Sequence, residues 1–211
     1  MPVLQEGMTE ETPYDVMQDP IVLKAIEFMK NAHRNHALKP DPVLGGQRRK
    51  YSKAHYEVHP IQVAKMVAKS IHNDAVTVAV ALLHDVVEDT TTTGQHIGEA
   101  FKEFGKEVCQ AIIAGVYEVS DVSKPEDGNR RVRKQKDLDH TAAAPPRAKT
   151  VKLADLISNT FSIAEHDPDF ARVYLHEKSR ILEVCGDADP GLLAEAYRVL
   201  VEAREKINAA R

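Results

Sequence analysis

The stretch from Val76 to Asp89 restricts the fold of this chain more than any other. A predominantly apolar run, Val76 to Leu83, leads directly into four polar groups: His84, Asp85, Glu88 and Asp89. In a helix, residues four apart share a face, so these four groups would fan over one edge of it. One imidazole and three carboxylates are costly to bury unless charge partners or a metal ion are present.

Two interpretations of this polar cluster follow. The first is a solvated, capped helix end. The second is a site for a divalent cation, because Mn, Fe and Mg accept mixed nitrogen and oxygen ligands. The density of ionisable groups at the end of an apolar helix favours the second.

Apolar residues recur at helical spacing along the whole chain and predict an all-α fold of roughly eight helices. Three helix starts carry a polar residue followed by proline, which suits the first turn: Asp19-Pro20, His59-Pro60 and Asp189-Pro190. We expect one central helix from Asp74 to Asp89, and Ile71 in the buried stripe of the helix before it. Residues 1–17 read as a loosely held arm and 18–211 as a single domain.

Composition excludes several classes of protein. The 211 residues carry 28 basic and 32 acidic side chains and a net charge of −4, which gives no bulk attraction to nucleic acid or membrane. Two cysteines without a CxxC motif exclude a thiol-rich zinc site and favour buried free thiols in a reducing cytoplasm. No signal peptide and no apolar run of about 20 residues is found. The last helix is a candidate homo-oligomer interface.

Other candidate residues each have an ordinary alternative. His59 at a helix start is either a polar cap or a ligand. Asp155 and Asn159, four apart in an apolar helix, are either a capped pair or part of a site. The basic residues 130–136 form either a solvated helix face or a mobile phosphate-gripping segment, and Lys152 is either a surface residue or a phosphate contact.

These segments, in this order, resemble the HD-domain hydrolases. They resemble most closely the (p)ppGpp hydrolase domain of the RelA/SpoT family and its stand-alone relatives, the small alarmone hydrolases. The string from His84 to Thr90, HDVVEDT, is the most specific match. The other matching segments lie between residues 20 and 165: Ala25–His33, Gln47–Lys50, His59–Ala64, Phe104–Gly105 and Val151–Asp155.

The resemblance implies an HD-domain helical bundle and a set of site residues. Metal ligands are implied at His59, His84, Asp85 and Asp155, and water-activating groups at Glu88 and Asp89. The implied substrate contacts are Arg49, Lys50, Asn159, Ser162 and Lys152. The implied cofactor is Mn²⁺, with Mg²⁺, Fe²⁺ or another divalent ion as alternatives.

The same resemblance implies a reaction: removal of the 3′-pyrophosphate from guanosine tetra- or pentaphosphate, which leaves GDP or GTP. A phosphohydrolase for another nucleotide is the first alternative, with NADPH, (p)ppApp or a deoxynucleotide as substrate. A non-catalytic nucleotide sensor is the second. The intact Glu88-Asp89 pair argues against a sensor, because a sensor has no need of water-activating groups.

The chain also departs from the family pattern. The loop from His33 to Gln47 is longer, and one extra residue lies between Arg49 and His59. Leu156 and Phe161 replace residues that are commonly basic. These departures bear on nucleotide selectivity and leave the metal ligands in place. We expect His33 to be structural or exposed, and the later residues Tyr174, Glu177 and Lys178 to serve packing and the surface.

Overall fold

The computed structural model describes residues 14–209, except for the side chain of Phe161. Most of the predicted N-terminal arm and the prediction for Phe161 therefore lie outside the described residues. The prediction of an all-α fold is confirmed. Ten α-helical segments follow one another: α1 Pro20–Asn35, α2 Val58–Val67, α3 Ala75–Leu83, α4 Val86–Asp89, α5 Gly94–Phe101, α6 Lys106–Val119, α7 Arg130–Ala143, α8 Pro146–His166, α9 Pro168–Val184 and α10 Pro190–Ala209. Residues 14–209 contain two isolated antiparallel bridges and no strand.

The helix α3 lies at the centre of the larger apolar cluster and is packed by α1, α2 and α6. A helix that is apolar on all sides must be buried, and every residue from Thr77 to Leu83 is. Gly115 lets α6 approach closely, because a Cβ atom there would lie 2.6 Å from Cγ2 of Val80. The end of α3, which carries the predicted site, is therefore held rigidly.

The long helix α8 belongs to both apolar clusters of the protein. Its Ala154 packs with α3 in the first cluster, whereas Leu153 and Leu156 pack with α9 and α10 in the second. Leu156 is 1% exposed, so packing accounts for an apolar residue at this position. The two clusters fix the rotation of α8 and thereby the direction of its polar side chains.

Helix starts that were predicted from local signals are found within one residue of their expected places. The carboxylate of Asp19 accepts a hydrogen bond from the backbone N–H of Ile21 at 2.8 Å. Asp74 caps α3 in the same way, accepting from the N–H of Thr77 at 3.0 Å. Such caps satisfy N–H groups that have no partner within the helix.

Two predictions about helix extent were wrong. Ile71 is 67% exposed rather than buried, because α2 ends at Val67 and the hydroxyl of Ser70 donates to the Val67 carbonyl. The predicted central helix is interrupted after Leu83 and resumes as the single turn α4. At this interruption Nδ1 of His84 hydrogen bonds to the Ala81 carbonyl at 2.8 Å, while His84 and Asp85 keep right-handed helical backbone angles.

Among the described residues, no helix combines the length and the apolar character needed to cross a bilayer. The prediction of buried free thiols is confirmed, since Cys109 and Cys185 are both buried and unpaired.

Candidate active site

Two buried imidazole rings face each other where α2 meets the end of α3. Nε2 of His59 lies 3.3 Å from Nε2 of His84, and the residues are 1% and 5% exposed. The other ring nitrogen of His84 meets the Ala81 carbonyl, which can only accept, so Nδ1 carries the hydrogen. Nδ1 of His59 lies 2.9 Å from the hydroxyl of Ser158. Both Nε2 atoms are thereby turned towards one point.

Two carboxylates converge on the same point. Oδ1 of Asp155 lies 3.1 Å from Nε2 of His59 and 3.7 Å from Nε2 of His84. Oδ2 of Asp85 lies 3.0 Å from Nε2 of His84 and 3.6 Å from Nε2 of His59. We call these four residues the His/Asp cluster, and they come from α2, the α3–α4 junction and α8.

The donor set of the His/Asp cluster fits a divalent cation. Ligand atoms of His59, His84 and Asp155 all lie within 4.8 Å of one another. In their neutral forms, the imidazoles would point lone pairs at each other and at two carboxylates, which is unfavourable without a positive charge between them. Metal-bound histidines commonly hold their second nitrogen on a carbonyl or a similar group, as Ala81 does for His84.

The charges in the cluster shift one another strongly. Burial lowers the pKa of His84, but the carboxylates of Asp85 and Asp155 outweigh it and raise that pKa well above the ordinary value. Burial would raise the pKa of Asp155, but hydrogen bonds from the two histidines outweigh it and hold that pKa well below the ordinary value. The site therefore favours a positive charge at its centre.

Asp89 lies beside the cluster and is held by a chain of hydrogen bonds. Nε2 of Gln47 donates to Oδ2 of Asp89 at 2.7 Å, and Oε1 of Gln47 lies 2.7 Å from Nδ1 of His33. Since that amide oxygen only accepts, His33 carries its hydrogen on Nδ1. His33 is 1% exposed, and its Nε2 has no hydrogen-bond partner in the described chain, which agrees with a structural role. The chain fixes the orientation of the Asp89 carboxylate.

Glu88 lies on the other side of the cluster, at a cavity of ≈ 560 Å³ that we call the α7 cavity because α7 forms one wall. Its Oε1 accepts from the backbone N–H of Asp121 at 2.9 Å. The side chain is exposed to the water of the cavity, but many protein atoms surround it. The resulting desolvation raises the pKa of Glu88 to about 7, although the charge of Lys152 partly offsets this shift. The carboxylate can thus gain or lose a proton near neutral pH.

Cationic side chains cluster around Glu88. Nζ of Lys152 lies 3.1 Å from Oδ1 of Asp121 and is largely buried, so it is not a surface residue. Arg130, Arg133 and Lys134 of the predicted basic segment line the α7 cavity. Nε of Arg133 is buried and has no hydrogen-bond partner among the described residues. Part of the basic segment therefore faces the site rather than bulk solvent.

The predicted nucleoside contacts lie around another cavity, of ≈ 580 Å³, which we call the α8 cavity and which shares no lining residue with the α7 cavity. Arg49, His59 and Ser162 line it. Nη2 of Arg49 donates to Oδ1 of Asn159 at 2.8 Å, and Nδ2 of Asn159 donates to Oδ1 of Asp155 at 2.6 Å. These bonds connect the cavity directly to the cluster.

Lys50 lies at the outer edge of this region. Its side chain is 70% exposed and pairs with Asp167 at 3.1 Å. The structure therefore brings together Arg49, Asn159 and Ser162 but leaves Lys50 at the surface.

Sequence reasoning missed several groups that shape the site. Tyr56 donates to Oδ2 of Asp85 at 2.6 Å, and Asp121 connects Glu88 to two lysines. Both residues lie outside the helices, where spacing gives no signal. Ser158 could have been found, because it lies three residues after Asp155 and shares a helix face with it.

The chain is similar in sequence to known proteins. Residues 25–182 match the HD domain family. The chain is 30% identical over 150 residues to the guanosine-3′,5′-bis(diphosphate) 3′-pyrophosphohydrolase MESH1 of Danio rerio, covering 71% of this chain and 72% of that protein. The MESH1 protein of Xenopus tropicalis is also 30% identical, with 71% and 73% covered.

A longer relative matches over a smaller part of its length. The guanosine-3′,5′-bis(diphosphate) 3′-pyrophosphohydrolase of Aquifex aeolicus is 32% identical over 138 residues, which is 65% of this chain but 17% of that protein. The fold is also that of a solved structure of a metazoan SpoT ortholog that hydrolyzes ppGpp. The TM-score is 0.66 at 22% identity, and 87% of this chain and 96% of that chain are covered.

Proposed function

Because this chain belongs to the HD domain family, among the hydrolases of RelA/SpoT type, we propose that it removes the 3′-pyrophosphate of guanosine-3′,5′-bis(diphosphate). The products are pyrophosphate and GDP, or GTP from the pentaphosphate. The observation that carries the proposal is the His/Asp cluster, followed on the next helical turn by Glu88 and Asp89, which are held by different partners. A sensor without catalysis would have no use for these two carboxylates.

The His/Asp cluster is the proposed metal site, with His59, His84, Asp85 and Asp155 as ligands. Mn²⁺ is the proposed ion, with Mg²⁺ and Fe²⁺ as the alternatives, because two imidazoles and two carboxylates suit ions of intermediate softness. When bound, such an ion supplies Lewis acidity, which polarises the phosphoryl group and lowers the pKa of water.

Glu88 is the proposed general base. Its pKa of about 7 lets it take a proton from the attacking water near neutral pH. The bond from the Asp121 N–H to Oε1 leaves Oε2 available for that water. Asp89, fixed by Gln47, would orient the same water. The two carboxylates thus divide proton transfer and positioning between them.

Cations that line the α7 cavity or lie beside it would offset the charge that develops on the leaving pyrophosphate. Lys152 and Lys134 share the carboxylate of Asp121, next to Glu88. Arg133 contributes a guanidinium that makes no ion pair with the described residues. Positive groups placed where charge develops stabilise a phosphoryl-transfer transition state.

The nucleoside is proposed to lie in the α8 cavity. Arg49 would stack on the purine, a contact for which a planar guanidinium is suited. Asn159 and Ser162 would contact the sugar side, and Lys50, at the outer edge, a phosphate. The amide of Asn159, bonded to both Arg49 and Asp155, couples nucleoside binding to the His/Asp cluster.

Product analysis tests the proposed function. Purified protein is incubated with guanosine-3′,5′-bis(diphosphate), with Mn²⁺ or with EDTA, and with NADPH and a deoxynucleoside triphosphate as alternative substrates. We expect equal amounts of pyrophosphate and GDP, only with the metal. Release of inorganic phosphate from another nucleotide, or tight nucleotide binding without turnover, would contradict the proposal.

We also propose that the protein acts in the cytoplasm, in the stringent response, where such a nucleotide would be degraded. The homo-oligomer predicted from the last helix stays a prediction. The helix α10 exposes Tyr197 and Val201, one turn apart. Light scattering on the purified protein would measure its mass in solution.

A further inference from the structure

A third cavity, of ≈ 290 Å³, lies between α7, α8 and α9, and we call it the α9 cavity. It adjoins the α7 cavity, since Asp121, Arg130 and Lys134 line both. Tyr174 and Lys178 of α9 line it as well. The sequence analysis predicted that these two residues serve packing and the surface, whereas in the structure both line a cavity.

Lys178 has no carboxylate partner among the residues that the structure describes. Each carboxylate that lines the α9 cavity has its own partner: Asp121 and Asp137 pair with Lys134, and Glu177 pairs with Arg130. Lys178 forms no ion pair within residues 14–209, and its Nζ lies 5.2 Å from the ring centre of Tyr174. Burial and the nearby Lys152 lower the pKa of Lys178. Lys178 is half-buried, and a partly desolvated ammonium without an ion-pair partner becomes more stable when an anion joins it.

Tyr174 presents a second unused donor. The residue is 7% exposed, and its phenol oxygen is buried without a hydrogen-bond partner in the described chain. The neighbouring hydroxyl of Thr160 donates to the Leu156 carbonyl at 2.7 Å. Burial raises the pKa of Tyr174, and the residue is part of the lining of the α9 cavity. A buried O–H without an acceptor is costly.

We propose that Lys178 and Tyr174 form a second anion subsite, which binds the diphosphate of the substrate that is not cleaved. This inference rests on the proposed function. A substrate with diphosphates on two positions of one ribose can place only one of them at the His/Asp cluster. The other must lie a few bonds away and needs its own donors.

The size and lining of the α9 cavity fit this occupant. Sites for whole small molecules typically measure about 300–1,000 Å³, so a cavity of ≈ 290 Å³ suits one group rather than a complete nucleotide. The ammonium and the phenol hydroxyl are donors for phosphate oxygens. Phe170 and Ile163 add an apolar part to the lining of the cavity.

Binding of GDP and guanosine to the Mn²⁺-loaded protein tests the subsite by calorimetry, because only GDP carries the 5′-diphosphate. We expect Lys178→Met and Tyr174→Phe each to weaken GDP binding by at least about tenfold, as for loss of a charge-assisted hydrogen bond, and to leave guanosine binding unchanged. The matched controls are Lys106→Met and Tyr197→Phe, which make the same changes at exposed positions. They should bind GDP as the unchanged protein does.

Two results would overturn the subsite. In one, both α9 variants bind GDP as tightly as the unchanged protein. In the other, the unchanged protein binds GDP no more tightly than guanosine. Hydrolysis of guanosine-3′,5′-bis(diphosphate) is measured separately, so a failure of the proposed function appears as absent pyrophosphate release and a failure of the subsite appears in the GDP series.

Discussion

Replacement of Asp155 by asparagine tests whether the His/Asp cluster holds a cation. Asparagine keeps the size of the side chain and can still accept the hydrogen bond from Nδ2 of Asn159, now 2.6 Å long. It removes the negative charge that lies 3.1 Å from Nε2 of His59. The substitution should therefore change the affinity for a cation much more than the packing of α8.

The expected size follows from linkage between binding and folding. A cation at 100 times its dissociation constant stabilises the folded protein by about 2.7 kcal/mol. For a chain of this length, about 2–4 °C of melting temperature corresponds to 1 kcal/mol, so Mn²⁺ should raise the Tm by about 5–11 °C. Loss of a group that only supports a metal ligand already costs about 10- to 100-fold in affinity. If Asp155→Asn weakens Mn²⁺ binding by about 100-fold, the same Mn²⁺ concentration should raise the Tm of the variant by only about 1 °C.

The assay is differential scanning calorimetry of EDTA-treated protein with and without Mn²⁺. The readout is the shift caused by the metal, so any change in the stability of the metal-free protein cancels. Asp139→Asn is the matched control, because it makes the same change on the exposed face of α7. An Asp155→Asn variant with the same metal-induced shift as the unchanged protein would refute the reasoning.

The remaining predictions concern catalysis and packing. Glu88→Gln should keep the metal-induced Tm shift but lower kcat by about 10²- to 10⁴-fold, and an unchanged kcat would argue against a proton-transfer role. Because the pKa of Glu88 is about 7 and the base must be unprotonated, kcat of the unchanged protein should fall about tenfold per pH unit below pH 7, and Glu88→Gln should lack this decline. Gln47→Leu removes the donor to the second carboxylate, so turnover should drop while the metal-induced shift stays, and steady-state kinetics would reveal a variant without this loss. Gly115→Ala should lower the free energy of unfolding, measured in urea, by about 1–3 kcal/mol because the new Cβ atom meets Val80. The control Gly186→Ala should be neutral, since no atom lies within 4 Å of its Cβ position. Equal stabilities of the two variants would contradict the packing of α3 on α6.

Features that depend on a few neighbouring residues could be predicted from the sequence. The caps at Asp19 and Asp74 need only an acceptor side chain before a helix, and both were found. The spacing of Asp155 and Asn159 likewise places the two side chains in contact. The same reasoning failed at Ile71, because a periodic apolar pattern continued past the residue where the helix ends.

Features that depend on irregular segments could not be predicted from local patterns, and Arg49 was implied only by the resemblance. The segment between α1 and α2 supplies Gln47, Arg49 and Tyr56 to the site, although no periodicity shows where it returns to the helices. Asp121, which connects Glu88 to Lys152, lies in the connection after α6. In each case the position is set by tertiary contacts across 20 or more residues of sequence, which local patterns do not encode.

Anomalous X-ray scattering from Mn²⁺-loaded crystals tests the central claim most directly, since it locates the ion without assumptions about activity. The account predicts one strong peak about 2.0–2.2 Å from Nε2 of His59, Nε2 of His84 and carboxylate oxygens of Asp85 and Asp155. A peak at another set of residues, or none between these four, would contradict it.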